Sequence, residues 1–171
     1  MSPVVVADRE AMHRLGERLA GMLAPGDLVV LSGGLGAGKT TLTQGIGRGL
    51  CVRGDVTSPT FVIARVHPST IGGPALVHVD AYRLSSLVEV DALDLDTSLE
   101  TSVTVVEWGE DKVEGLAENR LVVHLERPSG HAGDDVATAS DTAEPRTVSV
   151  SGIGPRWSGV DLGALLEGAV L

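Results

Sequence analysis

The stretch Gly33-Gly34-Leu35-Gly36-Ala37-Gly38-Lys39-Thr40 decides how the rest of this chain reads. It satisfies the pattern G-x-x-x-x-G-K-[ST]. It follows Leu28 to Ser32, an apolar and β-branched run that predicts a buried strand, and it precedes Lys39 to Leu50. In that second segment Leu42, Ile46 and Leu50 recur at helical spacing, while Gly45, Gly47 and Gly49 weaken the helix. A glycine turn between strand and helix lets backbone N–H groups point inward at phosphate oxygens, and the helix adds the positive end of its dipole. In this pattern Lys39 reaches the β- and γ-phosphates and Thr40 holds Mg²⁺ through its hydroxyl.

Such a site needs carboxylates near the metal, and two acids end apolar runs downstream. Asp80 closes ALVHVD and Glu107 closes VTVVE. In an open parallel sheet, ligands gather beyond the carboxyl ends of the strands, so both acids are expected beside Thr40. Glu107 is expected to help hold the metal. Asp80 either shares that role or orients an attacking water. The segment Thr57-Ser58-Pro59-Thr60-Phe61 lies where nucleotide switches place a hydroxyl-bearing loop, although its residue chemistry alone favours a plain Ser-Pro turn.

Further from the glycine loop, Asp8 to Leu23 predicts an amphipathic helix with Met12, Leu15, Leu19, Met22 and Leu23 inward, Asp8 as cap and Pro25-Gly26 as stop. Strands are expected at Phe61–Val66 and Ala75–Val79, joined as a hairpin, and at Val103–Val106, Leu121–Leu125 and Thr147–Val150. Helices are expected over 85–99, with an acidic face around Glu89, Asp91, Asp94 and Asp96 turned to solvent, and over 158–171. Residues 128–145, small, polar and acidic, predict a mobile loop. This alternation predicts one domain over 1–171. Its fold class is α/β, a three-layer P-loop sandwich whose central sheet is mostly parallel with some antiparallel strands at one side. Cys51 is expected to be a small core residue, and His78, alternating inside an apolar strand, a packed or capped histidine.

Length and charge bound the partners. A chain of 171 residues supports a core without metal or disulfide staples, and one cysteine excludes a disulfide framework. No apolar run is long enough to span a bilayer and no signal peptide is visible, so no membrane partner and a cytoplasmic location are expected. Thirteen basic against 23 acidic residues give a net charge of −10, which repels phosphate backbones; DNA is not an expected partner. Four aromatic residues, Phe61, Tyr82, Trp108 and Trp157, are too few for a base-stacking platform.

Together GGLGAGKTTLTQGIGRGL, SPTF, HVDAYRL and VEWGE resemble the TsaE family, small P-loop ATPases of bacterial tRNA modification. The resemblance runs from LGERL in the first helix to the VEW strand end. It implies ATP and Mg²⁺ as cofactors and homologues of TsaD and TsaB as partners, with tRNA met only through that complex. The joint task is transfer of a threonylcarbamoyl group to the adenosine beside the anticodon, and ATP hydrolysis by the TsaE member resets the complex between turnovers. Carried over by motif, Gly33 to Thr41 bind phosphates, including Thr41; Thr40, Glu107 and Asp80 are the metal residues; Asp80, Glu107 and Lys39 are catalytic. Ser58 and Thr60 fall in the switch-like loop, and Trp108 joins the nucleotide site beside the metal glutamate. Tyr82 and Arg83 match D-x-Y-R-L and imply a TsaD interface.

Departures from the family are Gly34, where Asp is usual, and Met12, where a threonine near the adenine is common. The alternative on the same fold is a small-molecule or nucleoside kinase. Its arginine-rich lid is missing from WGEDKVEGLAENR, which holds only Lys112 and Arg120. A GTPase would carry N-K-x-D, which is absent. A nucleotide-binding scaffold without turnover shares every motif read so far.

Overall fold

The computed structural model describes residues 3–59, 63–83, 96–127 and 144–167. Among them, strands β1 (Val4–Val6), β2 (Leu28–Ser32), β3 (Ala64–His67), β4 (Ala75–Asp80), β5 (Ser102–Glu107), β6 (Arg120–Glu126) and β7 (Arg146–Ile153) form one sheet. The helices are α1 (Arg9–Ala20), α2 (Lys39–Gly49), α3 (Asp96–Leu99) and α4 (Leu162–Glu167), with a 3₁₀ turn at Pro155–Trp157.

Every residue of β2 and β5 is buried, as expected of central parallel strands covered on both faces. The strand order is β1-β7-β6-β2-β5-β4-β3. The four central strands β6, β2, β5 and β4 run parallel; β7 beside β6 and β3 beside β4 run against them, and β1, paired antiparallel with β7, points the same way as the central four. The fold is therefore the expected α/β sandwich, with antiparallel pairing on both sides instead of one side. The second set comes from β3, which turns straight back on β4 as a hairpin.

Alternation along β2 divides the core. Val29 and Leu31 face a large cluster with Met12, Leu15 and Leu19 of α1, Leu42 and Ile46 of α2, and Leu165 and Leu166 of α4. Leu28 and Val30 face a smaller cluster with Val77, Val79, Val106 and Val113. On that second face the described cover is the turn segment around Gly109 to Ala117. Asp8 caps α1, its carboxylate accepting from the Ala11 amide at 2.8 Å, as its position predicts. The glycines that weaken α2 have a packing reason. A Cβ on Gly45 would stand 2.3 Å from the His13 carbonyl oxygen, and one on Gly16 2.5 Å from that of Leu42, so α1 and α2 meet backbone to backbone.

Three expectations change. Strand β1 was not expected; three valines at the sheet edge are too short a run to stand out from sequence. The closing helix covers Leu162–Glu167 within the described residues, preceded by the 3₁₀ turn. Cys51 is exposed and not in the core, because it takes the left-handed conformation (φ 52°) just past the end of α2 and turns outward. Residues 84–95, including most of the predicted helix over 85–99 with Glu89, Asp91 and Asp94, lie outside the described residues, as do 128–143 of the acidic loop. Among the described residues, no helix is long and apolar enough to cross a membrane.

Candidate functional site

The turn after β2 is shaped by glycines, and at Gly33 and Gly38 the backbone takes conformations that other residues rarely adopt. Gly33 has φ 137°, and a Cβ there would lie 2.2 Å from the Leu125 carbonyl oxygen of β6. Gly38, at the N-cap of α2, has φ 101° and offers no side-chain cap, which leaves the first-turn amides to meet a ligand. Lys39 folds back over the turn. Its Nζ donates to the carbonyl oxygens of Gly33 and Gly34, each at 2.8 Å, and lies 3.7 Å from the centre of the Trp108 ring. Burial lowers its pKa from the ordinary lysine value, opposed by the nearby charges of Glu107 and Asp80.

The two strand-end acids arrive where parallel pairing puts them. Asp80 and Glu107 are register partners across β4 and β5, both buried. The Thr40 hydroxyl donates to Glu107 Oε1 at 2.9 Å and Oε2 at 3.1 Å. Asp80 is held at both oxygens, by the Ser58 hydroxyl at 3.1 Å and by the Tyr82 amide at 3.0 Å. Trp108 takes φ 60° immediately after β5, and its ring meets that of Tyr82 edge to face at 5.1 Å. These groups enclose a cavity of about 540 Å³ together with Leu35, Gly36, Ala37, Gly38 and Thr41. A threonine hydroxyl and two carboxylates form an all-oxygen donor set, which suits a hard cation such as Mg²⁺ that keeps waters and takes its remaining ligands from phosphate. Among the described residues no group of three or more His, Cys, Asp or Glu forms a metal cage of its own.

On the opposite flank of the turn, Arg146 donates from Nη2 to the Gly36 carbonyl at 3.3 Å and from Nη1 to the Glu144 carbonyl at 2.8 Å. The Glu144 carboxylate pairs with Arg127 at 2.8 Å, and that contact holds its pKa below the ordinary value. Glu144, Arg146, Asp8, Arg9, Met12, Gly36, Gly38 and Thr41 line a narrow cleft of about 90 Å³, in which Met12 offers no hydrogen bond.

The structure thus brings Leu35 to Thr41, Asp80, Glu107 and Trp108 to one cavity, with Gly33 and Gly34 fixed to Lys39 beneath it. Thr60 lies outside the described residues. His78 is the packed, capped histidine that its place in β4 predicts, and the group that caps it is Glu107: its Nε2 sits 2.8 Å from Glu107 Oε1 with both groups buried, a link to the site that the sequence did not indicate. Arg127 and Glu144 carried no sequence signal.

A glycine turn at the centre of a mixed seven-stranded sheet, with strand-end acids beside the helix it opens, places the chain among the α/β proteins. A family model described as "Threonylcarbamoyl adenosine biosynthesis protein TsaE" matches residues 6–133. The chain belongs to the TsaE family, that of tRNA threonylcarbamoyladenosine biosynthesis. It is similar to the tRNA threonylcarbamoyladenosine biosynthesis protein TsaE of Streptomyces coelicolor, 59% identical over 155 residues, covering 90% of this chain and 99% of that one. The protein of the same name from Mycobacterium tuberculosis is 54% identical over 133 residues, 74% of this chain and 79% of that one. Among solved structures, YdiB of Bacillus subtilis superposes with a TM-score of 0.67 at 27% identity, covering 98% of this chain and 93% of that one.

Proposed function

We propose that this chain is the Mg²⁺-dependent, ATP-binding and ATP-hydrolysing member of the machinery that places a threonylcarbamoyl group on N6 of the adenosine beside the anticodon of tRNA. It acts with homologues of TsaD and TsaB in the cytoplasm. One observation carries the reading: Thr40, at the head of α2, is bonded to Glu107, with Asp80 directly across the strand pair. Those are the positions in which a P-loop needs a hydroxyl and carboxylates.

Each residue has a defined task in this reading. The amides from Gly33 to Thr41 cradle the phosphates. Lys39 exchanges its two carbonyl acceptors for phosphate oxygens, which pairs a buried ammonium with charged acceptors. Mg²⁺, when bound, neutralises charge that develops between the β- and γ-phosphate oxygens. Thr40 and Glu107 hold that ion. Asp80, steadied at both oxygens, either joins them or accepts a hydrogen bond from the attacking water. Trp108 walls the cavity and keeps water off the Lys39 ammonium. With a net charge of −10, the chain meets tRNA through its partners and not on its own surface.

The test is reconstitution. The chain is mixed with TsaD and TsaB homologues, threonylcarbamoyl-adenylate and unmodified tRNA, and rounds of modification are counted with and without ATP. Multiple rounds that require both the chain and hydrolysable ATP are expected. Modification independent of the chain overturns the reading, and γ-phosphate appearing on a metabolite replaces it with the kinase alternative.

A further inference from the structure

We infer that His78 is a positioning residue that sets the affinity of this site for its divalent cation, by fixing the Glu107 carboxylate from behind. The inference rests on the proposed reading, in which Glu107 holds the ion.

His78 and Asp80 lie on one face of β4, and Glu107 is the register partner of Asp80 on β5. His78 therefore sits one pleat deeper than the cavity and does not line it. It is fully buried, and its Nε2 is 2.8 Å from Glu107 Oε1, so with a carboxylate as acceptor Nε2 carries the proton. The single Thr40 hydroxyl proton is shared between the two carboxylate oxygens from the cavity side, and Oε1 alone also takes the imidazole N–H from inside. Oε1 is anchored to the core by the imidazole, and the carboxylate lines the cavity. A carboxylate with two rotatable side-chain bonds before its head group is thereby confined to one presentation.

The other nitrogen shows that this is not ordinary packing. His78 Nδ1 is buried with no hydrogen-bond partner among the described residues. A leucine or valine at this place in the strand would fill the space without leaving a bare acceptor in the core. The ring is unfavourable to bury except for the bond it gives Glu107. Groups that orient a metal-holding side chain in this way typically change metal affinity or activity by about 10–100-fold when removed.

The experiment compares His78→Leu, His78→Asn and His78→Gln with the parent. Glutamine places its amide nitrogen near the position of Nε2 and keeps the donor; asparagine is too short to reach, and leucine has none. Each protein is loaded with a non-hydrolysable ATP analogue, and Mn²⁺ is titrated by the loss of the free-ion electron paramagnetic resonance signal. Analogue affinity without divalent ion and the melting curve of the ligand-free protein are recorded in parallel. The expected result is an Mn²⁺ dissociation constant raised about 10–100-fold in the leucine and asparagine variants and restored to within about threefold by glutamine. Metal-free analogue affinity should stay at the parent value. Should the leucine variant fail to fold, the asparagine and glutamine pair decides. Equal Mn²⁺ affinity in all variants overturns the inference, as does glutamine behaving like asparagine. A Glu107→Gln control separates the two levels: if it also leaves Mn²⁺ binding unchanged, the reading of Glu107 as metal holder fails, not merely the part given to His78.

Discussion

On one flank of the glycine turn, Lys39, His78, Asp80 and Glu107 are all buried, and each makes short hydrogen bonds to groups of the site. On the other, Arg127 and Glu144 pair with 46% and 51% of their side chains exposed. The first flank is made by the ends of central strands, where two neighbours and two covering layers fix each side chain. The second is made by the end of β6 and the starts of β7 and α1, where water competes for the Arg127–Glu144 pair. Removal from water strengthens electrostatic contacts and makes lost partners expensive, whereas exposed ion pairs contribute little. Function that depends on fixed geometry belongs to the buried flank.

The largest effect should come from the buried cation. Lys39→Ala removes a charged donor worth about 3 kcal/mol, so ATP affinity measured by calorimetry should fall roughly 100-fold. Next is a contrast inside the turn itself. Gly33→Ala forces a side chain into φ 137° and against the Leu125 carbonyl. The backbone conformation alone should destabilise by about 1–3 kcal/mol, seen as a melting temperature several degrees lower. Gly34→Ala, with nothing within 4 Å of its Cβ, should stay within about 0.5 kcal/mol of the parent. That open space also accommodates the aspartate usual in the family. On the exposed flank, Glu144→Ala should change nucleotide affinity by no more than about twofold; a large loss there would erase the contrast between the flanks.

The smallest effect is a pH dependence outside the site. His67, at the end of the edge strand β3, has its pKa lowered from 6.5, first of all by burial. The unfolded chain thus takes up this proton at higher pH than the folded one. Its contribution is whole above pH 6.5 and is lost as pH falls from there through the lowered value. Melting temperatures taken between pH 7 and pH 5 should decline less steeply in His67→Phe than in the parent.

How much of this was legible in the sequence follows the same division. The turn, α2, β2 and the acids Asp80 and Glu107 are all marked by local pattern: a glycine motif, apolar runs, and charge at the point where each run ends. The cap at Asp8 is equally local. What stayed hidden depends on which strands lie side by side. Nothing near His78 in the chain says that β4 will pair with β5 in the register that brings it to Glu107. Nothing near Gly45 says that a carbonyl of another helix will occupy the space of its missing side chain. Cys51 looked apolar from its neighbours, and only the left-handed end of α2 turns it out. Val4–Val6 becomes a strand because β7 offers it an edge.

The indole of Trp108, stacked beneath the ammonium of Lys39, also gives the protein a built-in optical gauge. Its fluorescence depends on the cation 3.7 Å above the ring, and any ligand that draws the cation away must alter the emission. The chain's other tryptophan, Trp157, lies beneath Arg156 in the 3₁₀ turn after β7. With Trp157→Phe as background, a single emitter would follow filling and emptying of the cavity in real time, without a dye.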